Sequence, residues 1–161
     1  MSSLCNFIHT SSVQLHGHIS LNELKSLRIN NPELLIIKSI IIGRQSKDHF
    51  IKFIQKYSPF VDYFITDTLD ETTGACGATG KTHDWSKSRF IADHSSNPII
   101  LAGGLKSENI RDAIIQVRPF GVDSHSGVED EFGNKNYDKI LKFVQNAKTE
   151  FELQNYINSS D

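Results

Sequence analysis

The sequence predicts a parallel α/β fold of the (β/α)-barrel kind, and two observations predict it. Five short apolar runs alternate along the chain with segments of helical periodicity, which is the order of a parallel sheet with crossover helices. Several of these runs are continuously β-branched rather than alternating, as expected for parallel strands covered on both faces. Because no linker or change of composition divides this order, residues 1–161 are predicted to form one domain.

The predicted strands are short. They comprise residues 12–16, 34–42, 61–67, 98–102 and 121–124. The run 34–42 is the longest apolar one, but it contains a lysine and is far too short to span a bilayer. The sequence therefore predicts a protein that is not inserted in a membrane.

Helices are predicted between the strands from capping residues and apolar spacing. Ser20 and Glu23 have the Ser-x-x-Glu spacing of a capping box and precede a leucine stripe. Residues 50–57 and 110–117 carry apolar side chains at helical spacing. Ser107 is predicted to cap the second of these helices.

A last helix is predicted near the end of the chain. Its apolar residues recur at helical spacing and are Tyr137, Ile140, Leu141, Val144 and Ala147. The polar segment 155–161 is predicted to be a frayed end.

Glycine turns follow the fourth and fifth strands and carry the main functional signal. Residues 97–105 read Asn-Pro-Ile-Ile-Leu-Ala-Gly-Gly-Leu, and residues 120–129 read Phe-Gly-Val-Asp-Ser-His-Ser-Gly-Val-Glu. Glycine brings bare N–H groups close to a ligand, and the N-terminus of the next helix favours an anion. Two such turns on neighbouring strands predict a phosphate clamp for a small sugar phosphate. The predicted clamp residues are Gly103, Gly104, Ser126 and Gly127.

The composition excludes several other function classes. With a formal net charge of -2 and 22% charged residues, the chain has no basic excess that would indicate nucleic acid as a partner. The first residues lack the basic and long apolar regions of an export signal, so we expect a cytoplasmic protein. Cys5 and Cys76, the two cysteines, are therefore expected to be reduced thiols.

Four motifs in order resemble the phosphoribosylanthranilate isomerase family of tryptophan biosynthesis. They are residues 13–17 (Val-Gln-Leu-His-Gly), 80–85 (Gly-Lys-Thr-His-Asp-Trp), 101–109 and 121–129, and the resemblance extends from about residue 13 to residue 147. It implies a barrel of the TIM type. It also implies an Amadori rearrangement of N-(5-phosphoribosyl)anthranilate to the 1-deoxyribulose phosphate, with no cofactor and no metal.

The resemblance also implies roles for individual residues. Asp67 stands where the family has the general acid, which protonates the furanose ring oxygen. Its alternative role is to cap the turn after the strand, and Asp70 is the second candidate for the acid. The remaining substrate- and phosphate-binding residues implied by the motifs are Gln14, His16 and Gly80.

The general base of the family has no counterpart in the sequence. The family carries it as a cysteine in a Lys-Ile-Cys-Gly run at the end of the first strand, and that run is absent from the 161 residues. The chain resembles strands four to eight, which implies a barrel truncated at its N-terminus to about five βα units. A late-start gene model or fragment, a chain that pairs with another polypeptide and a remodelled remnant all fit this pattern. Cys76 is an alternative base.

The missing base leaves alternatives for both partner and function. Five strands leave two open edges, so we expect self-association or a complementing N-terminal segment. The alternative function is a catalytically inactive phosphosugar-binding remnant.

Four histidines are expected to gather near the carboxyl ends of the strands: His16, His18, His83 and His125. A His-x-His pair can bind zinc, but we expect solvated or substrate-contacting imidazoles instead. His125 stands where the family usually has a serine, so its ring either adds a cationic donor to the phosphate turn or crowds it.

Overall fold

The computed structural model of the chain describes Cys5, residues 9–68 and residues 83–159. Five strands form one sheet in sequential order, and all four pairings are parallel. They are β1 (Ser12–Leu15), β2 (Leu35–Ile42), β3 (Tyr63–Thr68), β4 (Ile99–Leu101) and β5 (Gly121–Val122). The predicted parallel α/β fold and its five strand positions are confirmed.

Helices alternate with the strands, and apolar spacing had predicted four of the five described ones. They are α1 (Leu21–Asn30), α2 (Lys47–Tyr57), α3 (Trp85–His94), α4 (Ile110–Val117) and α5 (Tyr137–Asn158), with 3-10 turns at Ser58–Phe60 and Ser126–Val128. The predicted capping box opens α1: Glu23 N donates to Ser20 Oγ at 3.2 Å, and Ser20 N donates to Glu23 Oε2 at 3.0 Å. None of the described helices is both long enough and apolar enough to cross a membrane.

Two predictions about helix ends were wrong. Asn109, not Ser107, is the N-cap residue of α4. The Asn109 amide closes the preceding turn, because its Oδ1 accepts from Lys106 N at 2.9 Å and its Nδ2 donates to Gly104 O at 3.0 Å. At the other end of the chain, α5 continues to Asn158, so 155–158 is helical rather than frayed.

The core lies between the sheet and the helices. Around β2 and β3, the buried side chains include Ile36, Ile40 and Phe64, which pack with Leu24 of α1 and Phe50 of α2. A second cluster joins β4, α4 and α5, and it contains all four residues of the predicted α4 stripe: Ile110, Ala113, Ile114 and Val117. Each of these four is 0% exposed. Burial on the helix side fixes which strand residues face the opposite side of the sheet.

Lys38 is a buried charged residue on the helix side of β2. Its Nζ donates to the carbonyl oxygens of Leu15 at 3.1 Å, Gly17 at 2.9 Å and Ser39 at 3.2 Å. Burial lowers the pKa of this amine. The bonds to Leu15 and Gly17 fasten the end of β1 and the turn that follows it to the neighbouring strand.

Four of the five residues of the predicted α5 stripe face outward. Tyr137, Ile140, Leu141 and Val144 are exposed, whereas Phe143 and Ala147 of the same helix enter the second core cluster. At the ends of the sheet, β1 and β5 each pair with one described strand. The described part of the chain therefore presents an apolar helix face together with two strand edges.

Candidate functional site

The carboxyl ends of the strands surround a cavity of about 390 Å³. Most of the predicted site residues line it: Gln14, His16, Asp67, Gly103, Gly104 and Ser126. Gly127 follows Ser126 in the same turn. Gly80, Asp70 and Cys76 lie outside the described residues. The fold thus brings residues from β1, β3, β4 and β5 to one edge of the sheet, as expected for parallel strands.

The first glycine turn has a backbone that other residues rarely adopt. The φ angles of Gly103 and Gly104 are +98° and +65°. A Cβ added at Gly103 would overlap Thr68 Oγ1 and would lie 3.1 Å from His83 Nδ1. Glycine is needed here both for the positive φ and for the close approach of the turn to β3.

The second turn is locked to the first through the carbonyl group of Leu105. Ser124 Oγ donates to Leu105 O at 2.6 Å. Gly127 packs directly against the same carbonyl: an added Cβ would overlap Leu105 O and would lie 2.8 Å from Leu105 C. The two turns therefore form one unit.

This unit carries unpaired donors. Within the described part of the chain, the N–H groups of Gly103, Gly104, Ser126 and Gly127 have no hydrogen-bond acceptor. Converging backbone N–H groups form a favourable site for an anion. These four N–H groups are therefore available as donors in the two turns.

Asp67 occupies the end of β3 and faces the cavity. Burial raises the pKa of its carboxyl, and the nearby Asp123 raises it further. A hydrogen bond from Thr68 N at 2.8 Å and His16 Nδ1 at 3.4 Å both act in the opposite direction. Because a raised pKa keeps more of the protonated form near neutral pH, this carboxyl is suited to donate a proton.

Asp123 and Ser124 were not singled out from the sequence. Both line the cavity immediately after β5. The signal that could have identified them is their position, because the residues that follow a barrel strand point into the site. Of the two residues, Asp123 has the larger effect on the electrostatics of the cavity, because it adds a second carboxylate near Asp67.

His83 lies on the helix side of the site rather than in the cavity. Its Nδ1 lies 3.0 Å from Thr68 Oγ1 and its Nε2 lies 2.5 Å from Ser88 Oγ. Both hydroxyl-bearing residues are buried. Burial lowers the pKa of His83 to about 4. The neutral imidazole thus links β3 to α3 beneath the first glycine turn.

The other histidines divide between two places. His16 and His125 line the cavity, whereas His18 lines two neighbouring cavities that His16 also borders. Among the described residues, no group of three histidine, cysteine, aspartate or glutamate side chains is placed to hold a metal ion.

The low pKa of His83 predicts a pH-dependent stability. Between pH 6.5 and about pH 4 the unfolded chain binds a proton at this residue that the folded chain does not, so the free energy of unfolding falls as the pH falls through this window. This lowering of the His83 pKa corresponds to about 3 kcal/mol in the free energy of unfolding. We expect wild type to lose that much more stability than His83→Gln when urea unfolding is compared across the window.

The control for that experiment is His94→Gln, which replaces an exposed histidine at the end of α3. It should follow the pH dependence of wild type. Equal pH dependence of His83→Gln and wild type would contradict the buried neutral imidazole.

The chain is similar to one known family over most of its length. Residues 1–146 match the sequence model of the N-(5′-phosphoribosyl)anthranilate (PRA) isomerase family. The isomerase 2 of this name from Methanosarcina mazei is 41% identical over 151 residues, which are 94% of this chain and 66% of the relative. The relative from Halobacterium salinarum is 36% identical over 89% of this chain and 63% of its own length. The chain thus spans slightly less than two thirds of these relatives.

Solved structures agree with this match. Phosphoribosyl anthranilate isomerase from Thermotoga maritima superposes with a TM-score of 0.72 at 31% identity, over 92% of this chain and 66% of the other. A phosphoribosyl anthranilate isomerase in complex with reduced 1-(o-carboxyphenylamino)-1-deoxyribulose 5-phosphate superposes with a TM-score of 0.68 at 30% identity, over 92% and 64% of the two chains.

Proposed function

Because the chain belongs to the N-(5′-phosphoribosyl)anthranilate isomerase family, we propose that it carries the phosphate clamp and the general acid of such an isomerase. The reaction is the Amadori rearrangement in tryptophan biosynthesis, which opens a ribosylamine and yields a 1-deoxy ketose phosphate. The main supporting observation is that one cavity at the strand ends is lined both by the raised-pKa carboxyl of Asp67 and by the glycine turns. The protein acts in the cytoplasm and without a cofactor in this proposal.

The geometry supports a division of roles within the cavity. The turns at Gly103–Gly104 and Ser126–Gly127 hold the phosphate, which fixes one end of the substrate. Asp67 then donates its proton to the furanose ring oxygen as the carbon–oxygen bond of the ring breaks. Gln14 and His16 line the cavity beside Asp67 and contact the sugar. A sugar phosphate fits this arrangement, and the solved complex of a family member holds such a ligand.

The base requires residues beyond this cavity. Removal of the proton from C2 of the sugar needs a basic group, and the resemblance assigns it to a Lys-Ile-Cys-Gly run that the 161 residues lack. We propose that residues 1–161 form one partial barrel of the TIM type with five βα units, and that further βα units supply this run.

Three features support such a completion. The edge of β1 borders a cavity of about 570 Å³, which also contacts α1. β5 offers the other edge, and α5 presents its exposed apolar face on the outside. A strand edge and an apolar helix face are the surfaces that neighbouring βα units cover in a closed barrel. Self-association of the chain would cover the same surfaces.

The test is completion of the barrel. We expect the 161-residue chain to show little isomerisation of N-(5-phosphoribosyl)anthranilate, because the loss of a base alone costs about 10²–10⁴-fold. Addition of a three-unit βα segment that carries Lys-Ile-Cys-Gly, fused or as a separate polypeptide, should restore turnover. The loss of substrate fluorescence measures the rate.

The matched control is the same segment with the cysteine replaced by serine, which should assemble without restoring activity. Strong turnover by the short chain alone would show that another group, with Cys76 the first candidate, acts as the base. Ligand binding without turnover in the completed protein would instead support an inactive phosphosugar-binding remnant.

A further inference from the structure

We propose that Asn109 is a positioning residue of the phosphate clamp, and that its side-chain amide holds the first glycine turn in its anion-binding conformation before the anion binds. The inference rests on the proposed phosphate clamp and adds a residue that contacts the turn rather than the ligand. Asn109 is partly buried and lies outside the lining of the cavity, whereas Gly103 and Gly104 line it. Any effect of Asn109 on an anion therefore passes through the turn.

The side chain of Asn109 does not do what the other N-cap side chains do. The N-cap residues of the other four described helices each accept a hydrogen bond from the first turn of their own helix. Asn136 at the start of α5, for example, accepts from Lys139 N at 3.0 Å. Asn109 makes no such bond to α4. Its amide points back along the chain, so capping of the helix does not account for it.

The amide of Asn109 instead holds the end of the glycine turn at two points. Its Nδ2 donates to Gly104 O at 3.0 Å, and its Oδ1 accepts from Lys106 N at 2.9 Å. Between these points, Leu105 O accepts from Ser124 Oγ at 2.6 Å. Rotation of the Gly104 carbonyl group would break the contact with Nδ2. Side chains thus fix three consecutive residues at the end of the turn.

Two adjacent glycines give the backbone of this turn much freedom of its own. Glycine adopts positive and negative φ about equally readily, and the turn has φ angles of +98° at Gly103 and +65° at Gly104. Ordering such residues costs conformational entropy. Where the fold has already ordered them, that cost does not reduce the affinity for the ligand. We therefore expect the Asn109 amide to strengthen anion binding without contacting the anion.

Asn109→Ser separates this role from helix capping, and sulfate is the probe because it resembles a phosphate group in shape and charge. Serine is as good an N-cap residue as asparagine, but its single hydroxyl cannot hold both Gly104 O and Lys106 N as the amide does. We expect sulfate to bind about tenfold more weakly, the effect of leaving the backbone of about one residue free. The midpoint of thermal unfolding should change by less than about 3 °C. Titration calorimetry and thermal unfolding measure the two quantities.

Asn136→Ser is the matched control, because it makes the same exchange at the N-cap of α5, where the amide bonds to its own helix. It should bind sulfate like wild type. NMR order parameters add a measurement that needs no variant. In wild type without sulfate, the N–H groups of Gly103 and Gly104 should be as rigid as helical backbone, with values of about 0.85. In Asn109→Ser the values should fall below about 0.6.

An affinity of folded Asn109→Ser equal to that of wild type would overturn the role of Asn109 and leave the clamp in place. Flexible N–H groups of Gly103 and Gly104 in sulfate-free wild type would overturn that role equally. An equal loss of affinity in Asn136→Ser would do the same, because it would assign the effect to helix capping. Absence of saturable sulfate binding to wild type would overturn the clamp and the inference together.

Discussion

Asp67→Asn should slow isomerisation about 10²–10⁴-fold in the protein completed by base-bearing βα units. Asparagine keeps the shape of the side chain but has no acidic proton to transfer to the ring oxygen. Because we assign the phosphate to the backbone N–H groups of the glycine turns and not to the Asp67 side chain, the variant should still bind sulfate saturably. Steady-state rates and sulfate binding, measured on the same preparations, separate these two expectations.

The pH dependence of the completed enzyme adds a second measurement. Burial and Asp123 raise the pKa of Asp67, so the protonated, active form persists to higher pH than for an exposed aspartate. Activity should fall as the pH rises through that raised pKa, and Asp123→Asn should move the fall to lower pH.

The control for Asp67→Asn is Asp48→Asn, which removes an exposed carboxylate from the first turn of α2. It should leave the rate unchanged. Asp67 Oδ1 also accepts from Thr68 N, which is the contact of a turn cap. If Asp67→Asn lowered stability but kept the full rate, the capping role would be the correct one.

Gly127→Ala should destabilise the fold by about 3 kcal/mol and abolish sulfate binding. A methyl group there overlaps the carbonyl oxygen of Leu105 and lies 2.9 Å from Ser124 Oγ. A backbone carbonyl cannot swing aside as the tip of a flexible side chain can, so the two turns must separate. For a chain of this size we expect a fall of about 10 °C in the midpoint of thermal unfolding.

Gly17→Ala is the matched control, because an added Cβ at Gly17 meets no atom within 4 Å and its φ is not positive. Gly17 lies in the turn after β1, so this variant tests the same kind of position without the overlap. It should unfold and bind sulfate like wild type. A Gly127→Ala protein with wild-type stability and affinity would contradict the packing of the second turn.

The order of elements was predictable because its signals are local. Runs rich in apolar and β-branched residues mark β2 and β3, and the Ser20–Glu23 spacing marks the start of α1. The position of the cavity could be predicted from the order of the parallel strands alone, because the carboxyl ends of parallel strands meet at one edge of the sheet. That is why Gln14 and Ser126, far apart in sequence, line one cavity.

Local signals were weaker where several contacts compete. Ser107 is a good capping residue, but its hydroxyl donates to Glu108 Oε1. The helix begins after Asn109, whose amide bonds to Lys106 and Gly104 instead. Along α5, apolar spacing correctly predicted a helix, yet the exposed residues include Ile140 and Val144 while Phe143 is buried. Spacing defines a helix face, whereas burial depends on what packs against it.

The sequence by itself determined the strand–helix order, the glycine turns and the residues that end each strand, because periodicity and covalent order contain that information. Only the tertiary structure decided that Asp123 acts on Asp67, that His83 is held neutral between Thr68 and Ser88, and that Leu105 locks the two turns together. These relations join residues of different strands and helices. Their distances depend on how the sheet and helices pack, which no local pattern specifies.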